Sequence, residues 1–278
     1  MSGHICRPAR EAVSLFDKHF GFSTLPFRKD IPPLALFPSR GHRELVAKLT
    51  QAIPRAEIIC VTGDIGAGKS TAIRAAQQSL SAALYRFIYI PNPGMAARDL
   101  YHELLRELGV QPPWSTTSAR RQLRDTFLAL REDGRTPVVV LDEAHKLPPA
   151  VLDELRMLTN FNMDSTPVFA LVLAGHPDLS RLLSRRGNEA LAQRIGCRFH
   201  LTGMDWDEMK SYVAHHLKLA GVTRPVFTED ALRLLFQHSQ GIPRRVNSLA
   251  LQALEVAYLQ EKELVDISIL ELVTADAS

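Results

Sequence analysis

A chain of 278 residues with 46% hydrophobic side chains is long enough for one α/β domain of about 200 residues and a small companion. Its 33 basic and 30 acidic residues leave a net charge of only +3, a balance that permits nucleic-acid binding without demanding it. The three cysteines, Cys6, Cys60 and Cys197, lack Cys-x-x-Cys or Cys/His spacing, and no apolar run approaches the roughly 18 residues that span a bilayer, so disulfide, zinc and membrane classes drop away and a soluble cytoplasmic protein is expected.

Residues 1–38 read as an N-terminal extension in which Arg7, Arg10, Glu11, Asp17 and Lys18 interrupt any clean apolar stretch. A helix is predicted over 41–51 and a short buried strand over 58–62. The next nine residues, Gly63, Asp64, Ile65, Gly66, Ala67, Gly68, Lys69, Ser70 and Thr71, fit the phosphate-binding template G-x-x-x-x-G-K-[ST] at every fixed position. Glycines there let backbone N–H groups turn inward and approach phosphates closely, and the helix opening at Ala72 presents its positive end. Lys69 is placed to reach the β- and γ-phosphates of ATP, and the Ser70 hydroxyl to ligate Mg²⁺. The alternative is a Gly-rich turn with a chance Lys-Ser.

Alternation follows: a strand over 85–90, a helix over 99–108 closed by Gly109, a Pro/Ser/Thr loop over 111–118, a helix over 119–132, and an apolar strand over 137–141. That strand ends in Asp142 and Glu143. Asp142 can hold Mg²⁺ through water, and Glu143 is placed to polarise a water for attack on the γ-phosphate, so the pair points to an ATP hydrolase. An ordinary strand-to-helix junction with a capping acid is the bland alternative. The letters Asp-Glu-Ala-His also occur in one class of helicases, but nothing else reads as a second helicase motor domain, and His145 is treated as context.

A helix over 149–161 carries Val151, Leu152, Leu155 and Leu158 on one stripe, then strands follow over 168–174 and 198–201, with Arg181, Arg185 and Arg186 in a connector. Beyond about residue 202 only helices are expected: 206–220, 228–239, 243–260 and a short one after Asp266. Strands alternating with helices predict an α/β fold, a parallel five-stranded sheet flanked by helices, over 39–203, with a small C-terminal helical lid domain over 204–278. The basic cluster Arg120, Arg121 and Arg124 reads either as a solvated helix face or as phosphate contacts.

The residues resemble the P-loop NTPases of the AAA+ class. By that resemblance His176, in Ala174-Gly175-His176-Pro177, takes the position that senses the γ-phosphate. Arg194 matches the arginine finger, with Arg198 in reserve, and Arg244, in Gly241-Ile242-Pro243-Arg244, matches the sensor of the lid, with Arg245 as its substitute. A finger acting on a neighbour implies a homo-oligomer, a ring or a filament. An Arg salt-bridged on a surface helix is the alternative for Arg194. In such proteins the extension packs near the adenine, and Phe37 and Pro38 are placed for that or for a core.

Several stretches are similar to the ExeA-like branch and to transposition ATPases of the TnsC, TniB and MuB kind: His19-Phe20-Gly21-Phe22, Leu36-Phe37-Pro38-Ser39-Arg40, Asp142 to Leu147, Leu155 to Phe161, and Leu171 to Pro177. In ExeA proper a membrane span and a cell-wall-binding region follow; the chain ends at Ser278 with neither, which favours the soluble helpers encoded beside a transposase. The resemblance then implies ATP-dependent assembly on double-stranded DNA and recruitment of a transposase. Segments 91–98 and 115–121 would line the DNA channel, with Thr117, Arg120 and Arg121 on phosphates. Trp114 would stack on a base or simply pack beside Pro112 and Pro113. A secretion-associated ATPase and a non-hydrolysing nucleotide-gated module are the other two readings.

Overall fold

The computed structural model describes residues 15–28, 31–32, 35–159 and 167–275; Cys6, Arg7, Arg10, Glu11 and the end of the expected 149–161 helix lie outside them. Three strands are almost wholly apolar and buried at every position: β1 (Ile58–Gly63), β3 (Thr136–Leu141) and β4 (Ala170–Gly175). Strands without a polar face must be covered on both sides. They form the centre of a five-stranded sheet, in the order β2 (Tyr85–Ile90), β3, β4, β1, β5 (Ile195–Leu201), and every neighbouring pair is parallel.

The period of two along each strand divides the core. Cys60, Val139, Leu141, Leu171 and Leu173 face one apolar layer, with α4 (Ala97–Glu107), α5 (Thr116–Glu132) and α6 (Pro149–Leu158). Ile59, Val61, Val138, Val140 and Val172 face the other, covered by α2 (Arg40–Ala52) and α3 (Lys69–Ser79). The Pro38–Gly203 unit is therefore a sheet between two helical layers, the α/β class expected. Parallel strands put the ends of β1, β3 and β4 on one edge, where loops can carry chemistry.

The helices before β3 start earlier than the periodicity gave. Ser39 caps α2, and Ser115 caps α5 by accepting the N–H of Ser118 at 3.1 Å, so Thr116, Thr117 and Ser118, read as loop, form the first turn of a helix. The connector after β4 folds into α7 (Asp178–Leu183) and α8 (Glu189–Gln193), because Leu179, Leu182, Leu183 and Leu191 bury themselves in the first layer. Arg181 thus lies on a helix.

The second compact unit joins the two ends of the chain, residues up to Phe37 and from Met204 onward. It contains α1 (Leu15–Phe20), α9 (Trp206–Leu219), α10 (Glu229–Ser239), α11 (Pro243–Leu259) and α12 (Ile267–Ala275). Phe20, Phe22 and Phe27 share one core with Val213, Leu217, Leu235, Leu249 and Ala253, and Phe37 packs against it. Polar ties run the same way: His19 Nε2 lies 2.9 Å from the Lys262 carbonyl, and His215 Nε2 lies 2.7 Å from that of Ala35. Phe27 stacks on the buried His216, ring centroids 5.2 Å apart.

Candidate functional site

At the end of β1 the chain must turn beside β5. A Cβ on Gly63 would lie 2.5 Å from the Leu201 carbonyl oxygen, so no side chain fits there. Gly66 (φ 86) and Gly68 (φ 104) take backbone conformations that favour glycine, and Gly68 caps the start of α3. Asp64 and Ile65 stand exposed at the tip, while Ala67 tucks into the core and donates its N–H to Asp64 at 3.2 Å. Lys69 is 7% exposed and donates from Nζ to the carbonyls of Gly63 at 2.7 Å and Asp64 at 2.9 Å. Thr71, half-buried, continues the helix.

Asp142, 5% exposed at the end of β3, is the hub of the polar contacts. Its Oδ2 accepts the Ser70 hydroxyl at 2.6 Å and the Tyr89 hydroxyl at 2.8 Å, and Oδ1 accepts the N–H of Glu143 at 2.9 Å. A serine hydroxyl and a carboxylate converging on one point, next to a loop with no room for a side chain at Gly63 and a lysine at its helix end, form an oxygen donor set suited to Mg²⁺ beside a triphosphate. The residues present are compatible with that pair of ligands: Ser70 and Asp142 could hold the cation, and Lys69 and the loop N–H groups the phosphates. Among the described residues no cluster of three or more His, Cys, Asp or Glu forms a separate metal site.

Glu143 turns sharply after the strand in a left-handed conformation (φ 55), one that costs a residue with a side chain about 1–2 kcal/mol. The turn leaves its side chain 38% exposed, with Lys146 Nζ at 3.5 Å and His145 Nε2 at 3.7 Å from Oε2. His176 follows β4; its N–H donates to His145 Nδ1 at 3.2 Å, and its own Nδ1 lies 3.1 Å from Asp178 Oδ2. Lys69, Ser70, Asp142, Glu143 and His176 thus stand at the carboxyl ends of three adjacent strands, β1, β3 and β4.

Other expected residues have different surroundings. Arg194, just after α8, donates from Nη1 to the Arg156 carbonyl at 3.0 Å and the Thr159 hydroxyl at 3.3 Å, at the C-terminal end of α6. Arg198 donates to the Ala192 carbonyl at 2.8 Å. Arg120 pairs with Glu154 at 3.2 Å, Arg121 stands 4.0 Å from Asp125, and Thr117 is exposed. Arg244 and Arg245 are exposed in the first turn of α11. Trp114 is 84% exposed, with the Arg98 guanidinium 4.5 Å from its ring.

Tyr89 escaped the sequence reading. It lies next to last in β2, opposite Val140, and its hydroxyl crosses to the neighbouring strand's acid. Burial and the adjacent Asp142 push its pKa up to about 12, so the phenol stays a hydrogen-bond donor at neutral pH. The available signal was a half-exposed tyrosine at the carboxyl end of a strand bordering the acidic one.

Residues 53–183 match the family model described as an AAA domain. The chain is 34% identical over 249 residues to the General secretion pathway protein A of Aeromonas hydrophila, covering 88% of this chain and 45% of that one, so it spans about half the length of this curated relative. Drosophila ORC bound to DNA superposes with a TM-score of 0.72 at 18% identity, over 100% of this chain and 70% of that one. The Aeropyrum pernix ORC1 protein in complex with DNA gives 0.65 at 17% identity, over 89% and 68%. At those identities the likeness is one of fold. The parallel five-stranded sheet and these superpositions show the fold that the chain shares with them, and residues 53–183 are similar to the family described as an AAA domain.

Proposed function

We propose that the chain binds ATP with Mg²⁺ and hydrolyses it, cycling between assembled and released states of a homo-oligomer. The observation that carries this reading is the convergence of Ser70 and Tyr89 on Asp142, with Glu143 turned out beside it. Lys69 and the loop N–H groups hold the phosphates in line, and bound Mg²⁺ supplies charge neutralisation to them. Glu143 takes a proton from a water whose oxygen bonds to the γ-phosphorus as the bond from that phosphorus to the departing ADP oxygen breaks. His176 and Arg244 are assigned to γ-phosphate sensing, and Arg194 to the site of a neighbouring subunit in a ring or filament.

The assembly is proposed to form on double-stranded DNA and to recruit a transposase, with Thr117, Arg120 and Arg121 contacting phosphates; the set of motifs shared with transposition helpers supports this. Arg120 would have to exchange its Glu154 partner for phosphate. A second reading, action on an envelope secretion complex, is favoured by the 34% identity to the secretion pathway protein. Binding to random duplex DNA, measured with ATP, with ADP and without nucleotide, separates the two. Binding that needs ATP and is lost in Lys69→Ala supports the DNA reading, whereas no binding in any state shifts the weight to the secretion reading. Absence of ATP turnover with and without DNA would sink the hydrolase assignment.

A further inference from the structure

His145 belongs neither to the phosphate template nor to the cation-holding pair, yet its ring touches two parts of the site at once. The His176 backbone N–H donates to Nδ1, so in the neutral ring that nitrogen carries no proton and the proton sits on Nε2. Nε2 faces the Glu143 carboxylate. The ring reaches this place because Gly175 has no side chain: a Cβ there would come within 3.1 Å of Nδ1 and 3.2 Å of the His145 backbone nitrogen. Lys146 approaches the same carboxylate oxygen, but its side chain is 51% exposed on a flexible stem, so it supplies charge and little direction.

We propose that His145 is a positioning residue: it orients the Glu143 carboxylate from the end of β4, so that the base follows the backbone at Gly175 and His176. The inference rests on Glu143 as the base. The 3.7 Å separation is too long for a hydrogen bond, and a modest rotation of either side chain closes it, as happens when a site tightens around its substrate. A displacement of the backbone at His176 then reaches the base through one imidazole, and the His176 side chain, engaged with Asp178, is not a link in that path.

Two replacements divide the two edges of the ring. His145→Asn keeps an acceptor near Nδ1 for the His176 N–H and loses the reach to Glu143; His145→Gln reaches toward Glu143 and loses the inner acceptor. Steady-state ATP hydrolysis is measured for both, with thermal unfolding alongside and Glu143→Gln in parallel. The expected result is a kcat lowered about tenfold or more in His145→Asn with KM within about twofold and an unchanged melting temperature, and a substantially higher kcat in His145→Gln. A His145→Asn kcat within about twofold of the parent overturns the proposal. So does equal loss in both variants with lowered melting temperatures, which would mark a structural role. Glu143→Gln turning over at the parent rate would instead sink the base assignment beneath it.

Discussion

Tyr89→Phe removes a single oxygen from the centre of the site and leaves the ring in place. In the parent, Asp142 is almost fully buried and its Oδ2 accepts two hydroxyls, at 2.6 Å from Ser70 and 2.8 Å from Tyr89. A hydrogen bond to a charged acceptor contributes about 1.5–3 kcal/mol. Tyr89 is 45% exposed, so water replaces part of what is lost, and the expected cost is about 1 kcal/mol. For a domain of this size that lowers the melting temperature by about 2–4 °C. Circular dichroism melts without nucleotide read it directly. The phenol's pKa is raised from 10.0 to about 12 in the folded chain, so its contribution is complete below pH 10 and fades as the pH rises toward 12. The gap between parent and variant should therefore be constant from about pH 7 to 9. A variant as stable as the parent, or a gap that closes within that range, would refute the account of Asp142.

Gly241→Ala should destabilise the unit formed by the chain ends by about 2–4 kcal/mol in urea titrations, because a Cβ there runs into the Met204 carbonyl and φ is +67°, whereas Gly134→Ala, also at positive φ but in open space, should cost only about 1 kcal/mol. Equal costs would count against the contact. Phe127→Ala, a fully buried ring 5.0 Å from that of Phe169, should cost about 3–5 kcal/mol, and a loss below about 1 kcal/mol would mean the layer is loosely packed. Burial, with a smaller effect of His215, lowers the His216 pKa from 6.5 to about 4, so the unfolded chain takes up a proton before the folded one does. Stability contributed by neutral His216 is present above pH 6.5 and lost as the pH falls toward 4, at no more than about 1.4 kcal/mol per unit. His216→Phe should flatten that acid slope; an unchanged slope would assign it to other groups.

The geometry that depends on neighbours in sequence was legible, and the geometry that depends on neighbours across the sheet was not. The phosphate loop and the acid pair can be read because fixed spacing near a strand end dictates their geometry, and the buried strands because a two-sided sheet leaves no polar face. Tyr89 meets Asp142 only through the pairing of β2 with β3. His145 acquires its place from an absence, the missing side chain of Gly175 on another strand. The short helices α7 and α8 are stabilised by burying leucines in the layer under the sheet, a tertiary effect that overrides weak local periodicity. Arg120 read as part of a solvated face or as a phosphate contact, and the Glu154 that α6 brings to it was not foreseen.

The sharing of one core by the first and last segments sets a timetable for biosynthesis. Phe20, Phe22 and Phe27 leave the ribosome before any of the helices that cover them, and the whole of Pro38–Gly203 is made in between. At about 5–20 residues per second those aromatics wait on the order of ten seconds or longer for their partners. During that interval the nascent segment displays an apolar cluster of the kind chaperones hold, while the sheet behind it can already close.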